Sequence, residues 1–347
     1  MGVKLQCYPT GKETFQEAND ILEMDMARLC CSGTDSDLTD TEITQPAILT
    51  CSIAALRILS ARYSMLDARY SMEKSSIQHP VSSIQYPACP PSATAGLSVG
   101  EYSALVASEV LSFPDSLKLV KERGRLMAKA ADANPGTMAA ILGFADNAVV
   151  ESLCEEASAY GVVRPANYNC PGQVVISGEE KAVQRAMELA KKAGARRCVT
   201  LNVSGAFHSP LMRSAQLGLR KALNSVSFSN PEIPFIANVT GDYVEEPEEI
   251  REMLALQLSS PIQWEASVRR MIDDGITIFV EIGPGKIIAS LVHRIYRQAF
   301  QAFGKSLSKN RGMGDFPHEK SLNGRRPSPA EVKISSTDDL FKLLEKA

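Results

Sequence analysis

The segment Ser92–Val106, SATAGLSVGEYSALV, decides the reading of this chain. A short run of small residues leads into Gly96-Leu97-Ser98-Val99-Gly100, and helical apolar periodicity starts immediately after it. Gly-x-Ser-x-Gly between a strand and a helix is the pattern of a nucleophile elbow. The glycines would let the backbone turn sharply with no Cβ in the way. The serine would then sit at a helix N-terminus, where the Val99 amide and the helix dipole favour a developing oxyanion. A plain Gly/Ser loop presents the same five residues, so the pentapeptide alone leaves catalysis and turn formation both open.

A serine hydroxyl needs a base near neutral pH. His208, in VSGAFHSPLM, comes after the alternating Val199, Leu201 and Val203 and precedes Ser209-Pro210, an N-cap and first helical residue. It would be held in a strand-to-helix loop, where α/β proteins keep their sites; a surface loop histidine is the other reading. His79, His293 and His318 read as solvated. In DSLKLVKERGRLMAKA the face of Lys118, Glu122, Arg125 and Lys129 is solvated by spacing, whereas Arg123 lies three or four residues from Leu119, Val120, Leu126 and Met127. A guanidinium on an apolar stripe needs a partner. That partner is either an internal carboxylate or a substrate carboxylate held by two parallel hydrogen bonds.

Periodicity organises the rest of the chain. Helical patterns cover about 12–28, 45–60 (with Pro46 in a first turn) and 114–131. Residues 138–201 run strand, helix, strand, strand, helix, strand, which is the ferredoxin-like order. Beyond them lie a helix from Pro210, a strand near 234–239, helices near 247–258 and 262–274, the strand ITIFVEI and a helix from Lys286. ARYSM occurs at 61–65 and again at 68–72, and the stretch to about 92 reads as an irregular surface insertion. The tail from about 300 is polar and ends in a short capped helix, STDDLFKLLEKA. The expected fold is α/β: a hydrolase-like parallel-sheet large subdomain (1–136 and 202–300) with an inserted ferredoxin-like small subdomain (137–201), then a tail over 301–347.

Composition narrows the classes. The 347 residues are 44% hydrophobic and 22% charged, with a net charge of −3, so nothing marks the chain as a nucleic-acid binder. Residues 1–50 carry nine acids and three bases. Basic clusters come later, at Lys191-Lys192 with Arg196-Arg197, at Arg269-Arg270, and at Arg294 with Arg297; each is a solvated face or a docking surface for an acidic partner. No apolar run reads as a membrane span, and no signal or transit peptide is visible. Eight scattered cysteines without a C-x-x-C pair read as reduced thiols, and no metal motif occurs.

AGLSVGEYSAL, VKERGRLM, NCPGQVVISG, GAFHSPLM, QLSSPIQWEASV and EIGPGK stand in the order in which similar segments occur in malonyl-CoA:acyl carrier protein transacylases. The resemblance covers about 11–298 apart from the insertion. It implies a discrete, monomeric enzyme of fatty acid synthesis without a cofactor. Ser98 resembles the residue that carries the malonyl ester, His208 its base, and Gln257 the residue whose carbonyl orients that histidine. Arg123 resembles the partner of the malonyl carboxylate, Val99 the source of one oxyanion amide, and Phe207 a residue of malonyl-selective members; Gln45 lines the same pocket. Malonyl-CoA and acyl carrier protein would be the partners, with Lys191, Lys192, Arg196 and Arg197 as the docking face.

Two departures matter. Members of the family begin with a strand and a loop resembling FPGQGSQ, whose glutamine gives the second oxyanion amide. This sequence starts MGVKL, which resembles the segment immediately after that loop, so a weakly active or poorly soluble chain is expected. Leu97 stands where many bacterial members have histidine. A truncated homologue that binds CoA or carrier protein without turnover is one alternative. A patatin-like lipid hydrolase is another, although its aspartate motif has only Asp274-Gly275-Ile276 to match it. The resemblance places the enzyme in a mitochondrion or plastid if the source is a eukaryote, and in the cytoplasm otherwise.

Overall fold

The computed structural model describes residues 1–34, 40–70, 90–309 and 333–344. In chain order the elements are α1 (Gly2–Leu5), α2 (Pro9–Leu22), α3 (Met26–Ser32), α4 (Thr41–Tyr70), β1 (Thr94–Ala95), α5 (Gly100–Ala107) and α6 (Phe113–Ala133). Next come β2 (Thr137–Leu142), α7 (Asn147–Ala157), β3 (Val163–Cys170), β4 (Gln173–Gly178), α8 (Glu180–Lys192) and β5 (Arg197–Thr200). The chain continues through α9 (Arg213–Leu223), β6 (Phe235–Ile236), α10 (Pro247–Gln257), α11 (Trp264–Asp273), β7 (Ile278–Glu281) and α12 (Ile287–Lys309). It closes with β8 (Lys333–Ser336) and α13 (Thr337–Leu344).

β1 and β6 pair in parallel, with Thr94 opposite Phe235 and Ala95 opposite Ile236. Successive side chains on a strand point to opposite faces. Phe235 therefore enters the core built by α2, α4, α5, α6, α9 and α10, and Ile236 the one built by α11 and α12. This is helix on both faces of a parallel sheet, as expected for the large subdomain. Within 137–200 the four strands form one antiparallel sheet in the order β3-β4-β2-β5, with α7 and α8 over one face. That order and connectivity are ferredoxin-like. Residues 201–203 lie beyond β5, so the alternation of Leu201 and Val203 outlasts the strand.

Several expectations are corrected. The helical pattern over 12–28 breaks where Glu23 takes a left-handed φ of 52°, which separates α2 from α3. α4 starts at Thr41, capped by Asp40 Oδ1, which accepts from the Glu42 N–H at 2.9 Å. Pro46 therefore lies inside the helix and not in its first turn. α4 also runs on to Tyr70, through the first ARYSM copy, where an irregular insertion was expected; 71–89 lie outside the described residues. Residues 41–62 are long and apolar enough to cross a membrane, with mean hydropathy 1.4, contrary to the sequence reading. In the most apolar 18-residue window among them 72% of residues are buried within the protein, which accounts for the apolarity as that of a core helix. The polar tail is also corrected: α12 extends to Lys309, and β8 pairs in parallel with β7. Phe341 on α13 is 2% exposed and lies 5.5 Å from the Tyr8 ring, centroid to centroid.

α4 and α6 approach closely where the site is built. Thr41 Oγ1 donates to the Gly124 carbonyl at 3.0 Å, and a Cβ at Gly124 would stand 2.4 Å from the Thr41 carbonyl oxygen. Backbone cannot yield as a flexible side chain can. Gly124→Ala is expected to cost about 1–3 kcal/mol by overpacking, read as a lowered Tm. It should also displace Gln45 and Arg123, which these two helices carry.

Candidate active site

The elbow forms at the carboxyl end of β1. Gly96 is needed there: a Cβ would meet the Gly100 carbonyl oxygen at 2.0 Å. Gly100 is not constrained in this way, since a Cβ there meets nothing within 4 Å. The left-handed turn is made by the serine itself, with φ of 54°, a conformation that costs a non-glycine residue roughly 1–2 kcal/mol. The turn is held from β6. Asn238, just past that strand, accepts the Ser98 N–H at 2.7 Å and donates to the Gly96 carbonyl at 2.5 Å. Ser98 and its clamp thus come from the carboxyl ends of two paired parallel strands, where open α/β sheets place their sites.

His208 arrives from the other side. Ser209 caps the short 3₁₀ turn that begins at Pro210, as the sequence suggested, and His208 before it has φ of 56°. Its Nε2 lies 2.9 Å from Ser98 Oγ, and its Nδ1 lies 2.8 Å from the Gln257 carbonyl at the end of α10. A carbonyl only accepts, so Nδ1 carries the proton and Nε2 presents a lone pair to the serine hydroxyl. Burial, and then the Arg123 charge, push the imidazole down to about 4; the Gln257 carbonyl partly opposes them. His208 is therefore neutral across the physiological range, the state a general base requires.

Arg123 is 1% exposed on the inner face of α6, as its spacing indicated. Its partners are neutral. Nη1 donates to Gln45 Oε1 at 2.5 Å; Nη2 donates to Gln257 Oε1 at 2.8 Å and to Ser98 Oγ at 3.0 Å. No ion pair to it occurs among the described residues, and its Nε has no partner there. Burial lowers its pKa, opposed by Tyr102 and Glu101. A charge desolvated this far, with the neighbouring Glu101 carboxylate held off by the Gln257 amide, suits an anion that arrives.

Ser98, Val99, Arg123, Gln45, Phe207 and His208 line one cavity of about 220 Å³, together with Met127, Thr41 and, from the ferredoxin-like sheet, Met138 and Asn167. The Val99 N–H has no acceptor among the described residues, whereas the next two amides are taken by Leu97 and Ser98 carbonyls. All seven residues singled out from the sequence converge here, Gln257 through its bonds to His208 and Arg123. Of the other histidines, His293 is exposed, and His79 and His318 lie outside the described residues. Two residues were missed. Asn238 carries no signal beyond its place after a strand. Glu101 comes directly after the elbow, yet a glutamate in a first helical turn reads as solvated.

A family model described as an acyl transferase domain matches residues 72–322. The chain is 40% identical over 293 residues to the malonyl CoA-acyl carrier protein transacylase of Bacillus subtilis, covering 84% of each. This chain belongs to the acyl transferase family of the malonyl CoA-acyl carrier protein transacylases. Solved structures of this family agree. The transacylase of Coxiella burnetii superposes with a TM-score of 0.74 at 36% identity, over 85% of both chains. A malonyl-transacylase in complex with its type II PKS acyl-carrier protein gives a TM-score of 0.73 at 35% identity, over 84% of this chain and 86% of that one.

In such a transacylase the pH profile separates the base from the carboxylate grip. Acetyl loading does not engage Arg123 through a carboxylate. It is expected to stay flat from pH 8 to about 5 and to fall as pH drops through about 4, where His208 takes up its proton. A half-point near the ordinary histidine value would contradict the burial account of this base.

Proposed function

We propose that this chain transfers the malonyl group of malonyl-CoA to the phosphopantetheine thiol of acyl carrier protein, for fatty acid biosynthesis, through a malonyl ester on Ser98. The observation that carries the reading is the double engagement of one oxygen. Ser98 Oγ lies 2.9 Å from a neutral imidazole nitrogen and 3.0 Å from a buried guanidinium without a carboxylate partner. A base beside a serine makes a nucleophile. An unpaired arginine beside the same serine selects an acyl group that itself carries an anion.

The steps derive from these positions. His208 Nε2 takes the hydroxyl proton as Ser98 Oγ attacks the thioester carbonyl. The tetrahedral oxyanion forms beside the Val99 N–H. As it collapses, His208 returns the proton to the departing CoA sulfur, leaving malonyl-serine with its free carboxylate on Arg123. The carrier thiol then gives its proton to His208 and attacks the ester carbonyl. The Ser98 Oγ–acyl bond breaks, and His208 returns the proton to the departing serine oxygen, which leaves malonyl on the carrier and Ser98 free. The imidazolium that forms in each half is steadied by the Gln257 carbonyl on Nδ1, so no aspartate is required. Phe207 narrows the cavity beside the acyl group and would disfavour an α-branched one.

Lys191, Lys192, Arg196 and Arg197 are exposed and enter no ion pair among the described residues. By contrast Arg269 is paired with Glu265, and Arg270 with Asp242 and Asp274. The first group is the docking face we favour for an acidic carrier. Asp274, the one candidate base for a patatin-like hydrolase, is occupied by Arg270, which leaves that reading without a base. The setting we infer is discrete-enzyme fatty acid synthesis, in the cytoplasm of a bacterium or in the mitochondrion or plastid of a eukaryote. Mass spectrometry after mixing with malonyl-CoA tests the function. A malonyl mass on the Ser98 peptide that disappears on adding holo acyl carrier protein is expected. Binding without an adduct would overturn it in favour of a non-catalytic homologue.

A further inference from the structure

Glu101 is a carboxylate that the acyl-transfer steps do not use, yet it is 1% exposed beneath the nucleophile. Burying an acid is costly unless its oxygens are served. Here Oε1 accepts the Asn238 N–H at 2.8 Å, and Oε2 accepts from Gln257 Nε2. Gln257 is therefore held at both ends of its side chain. Its Nε2 faces Glu101 and the Ser98 carbonyl, the latter at 3.0 Å, and its Oε1 faces Arg123 Nη2 at 2.8 Å.

An amide between a carboxylate and a guanidinium has only one workable sense. A carboxylate only accepts, so it takes the NH₂ end; a guanidinium only donates, so it takes the carbonyl end. We propose that Glu101 is a positioning residue for acyl-group selection: its carboxylate fixes the sense of the Gln257 amide and so aims Arg123 at the substrate carboxylate. The inference rests on the reading of Arg123 as the carboxylate grip.

The same geometry makes the device depend on protonation. Protonation turns one of the two oxygens into a hydroxyl, a donor and a weaker acceptor, so the carboxyl no longer holds Asn238 and Gln257 equally. Burial raises Glu101 to about 7, against the pull of the Asn238 N–H, the Gln257 amide and Arg123. The charged or titratable groups around it are Arg123 from α6, Tyr102 beside it on α5, and His208 across Gln257. His208 takes its proton well below this range and Tyr102 loses its proton well above. A change near pH 7 therefore belongs to Glu101.

The test measures malonyl and acetyl loading on the full chain from pH 5.5 to 8.5. In the wild type the malonyl-to-acetyl ratio of kcat/KM is expected to fall several-fold as pH drops through about 7. In Glu101→Gln the ratio is expected to be low, by about 10-fold, and independent of pH. The substituted amide cannot accept from both neighbours, so the Gln257 amide loses its fixed sense. Equal losses of malonyl and acetyl loading in Glu101→Gln would reduce Glu101 to a structural clamp and overturn the proposal. A wild-type ratio that favours malonyl but is flat across the range would overturn it without recourse to a variant. A wild-type ratio with no malonyl preference at any pH would instead remove the Arg123 grip itself, and this proposal with it.

Discussion

Ser98→Ala is expected to abolish malonyl transfer: kcat should fall by about 10⁴-fold or more, and no peptide should gain a malonyl mass. The size of the effect comes from the chemistry, because without the oxygen no ester forms and the carrier thiol has nothing to attack. The fold should hardly notice. The backbone turn at 98 is held by Asn238 through the main-chain N–H, which alanine keeps. Only two contacts of the hydroxyl are lost, so Tm should move by the equivalent of about 1 kcal/mol or less. Transfer that survives in the folded variant would place the nucleophile elsewhere.

Arg123→Ala separates the two acyl groups. Two parallel charge-assisted bonds to a carboxylate in a dry cavity contribute about 3–4 kcal/mol, so malonyl loading should fall about 10²–10³-fold. Acetyl loading should fall by no more than about 10-fold, through the lost Nη2 contact to Ser98 and the unpaired carbonyls of Gln45 and Gln257. A second readout comes from the base. The guanidinium holds His208 down, after burial as the larger cause. Removing it should shift the acid limb of acetyl loading upward from about 4. The same logic links substrate to base: a malonyl carboxylate that neutralises Arg123 also makes His208 a stronger base. Equal losses for both acyl groups, with an unmoved acid limb, would argue that Arg123 is structural.

Much of this was legible in residue order. The 3.6-residue period around Arg123 put it on the apolar side of α6, and the switch to short strands over 138–201 marked the ferredoxin-like sheet. Those signals are local, which is why they survive without a structure. What was not legible depends on distant partners. Glu101 reads as a solvated helix-start acid until Asn238 and Gln257 close over it. The last strand, β8, reads as polar tail because its sole described strand neighbour is β7, more than fifty residues earlier in the chain. Pro46 reads as a helix start, since the Asp40 cap that begins α4 earlier leaves only a faint mark. The strain at Ser98 was assigned to its glycines, whereas the serine bears it and only Gly96 is needed for close approach.

The hydrogen bonds of the site also say when in the life of the chain it comes into being. Ser98 meets His208 across 110 positions and Asn238 across 140; Arg123 meets Gln257 across 134, and Glu101 meets it across 156. Loops of this length close late, because their entropy is lost before any contact repays it. On this ordering Ser98 gains Arg123, only 25 positions away, before it gains His208, and until then it is an alcohol without a base. The base at Ser98 and the Gln257 support of Arg123 are thus expected among the last parts of the site to form. A chain that has not finished folding therefore cannot squander thioesters, and recovered activity during refolding should trail recovered helix.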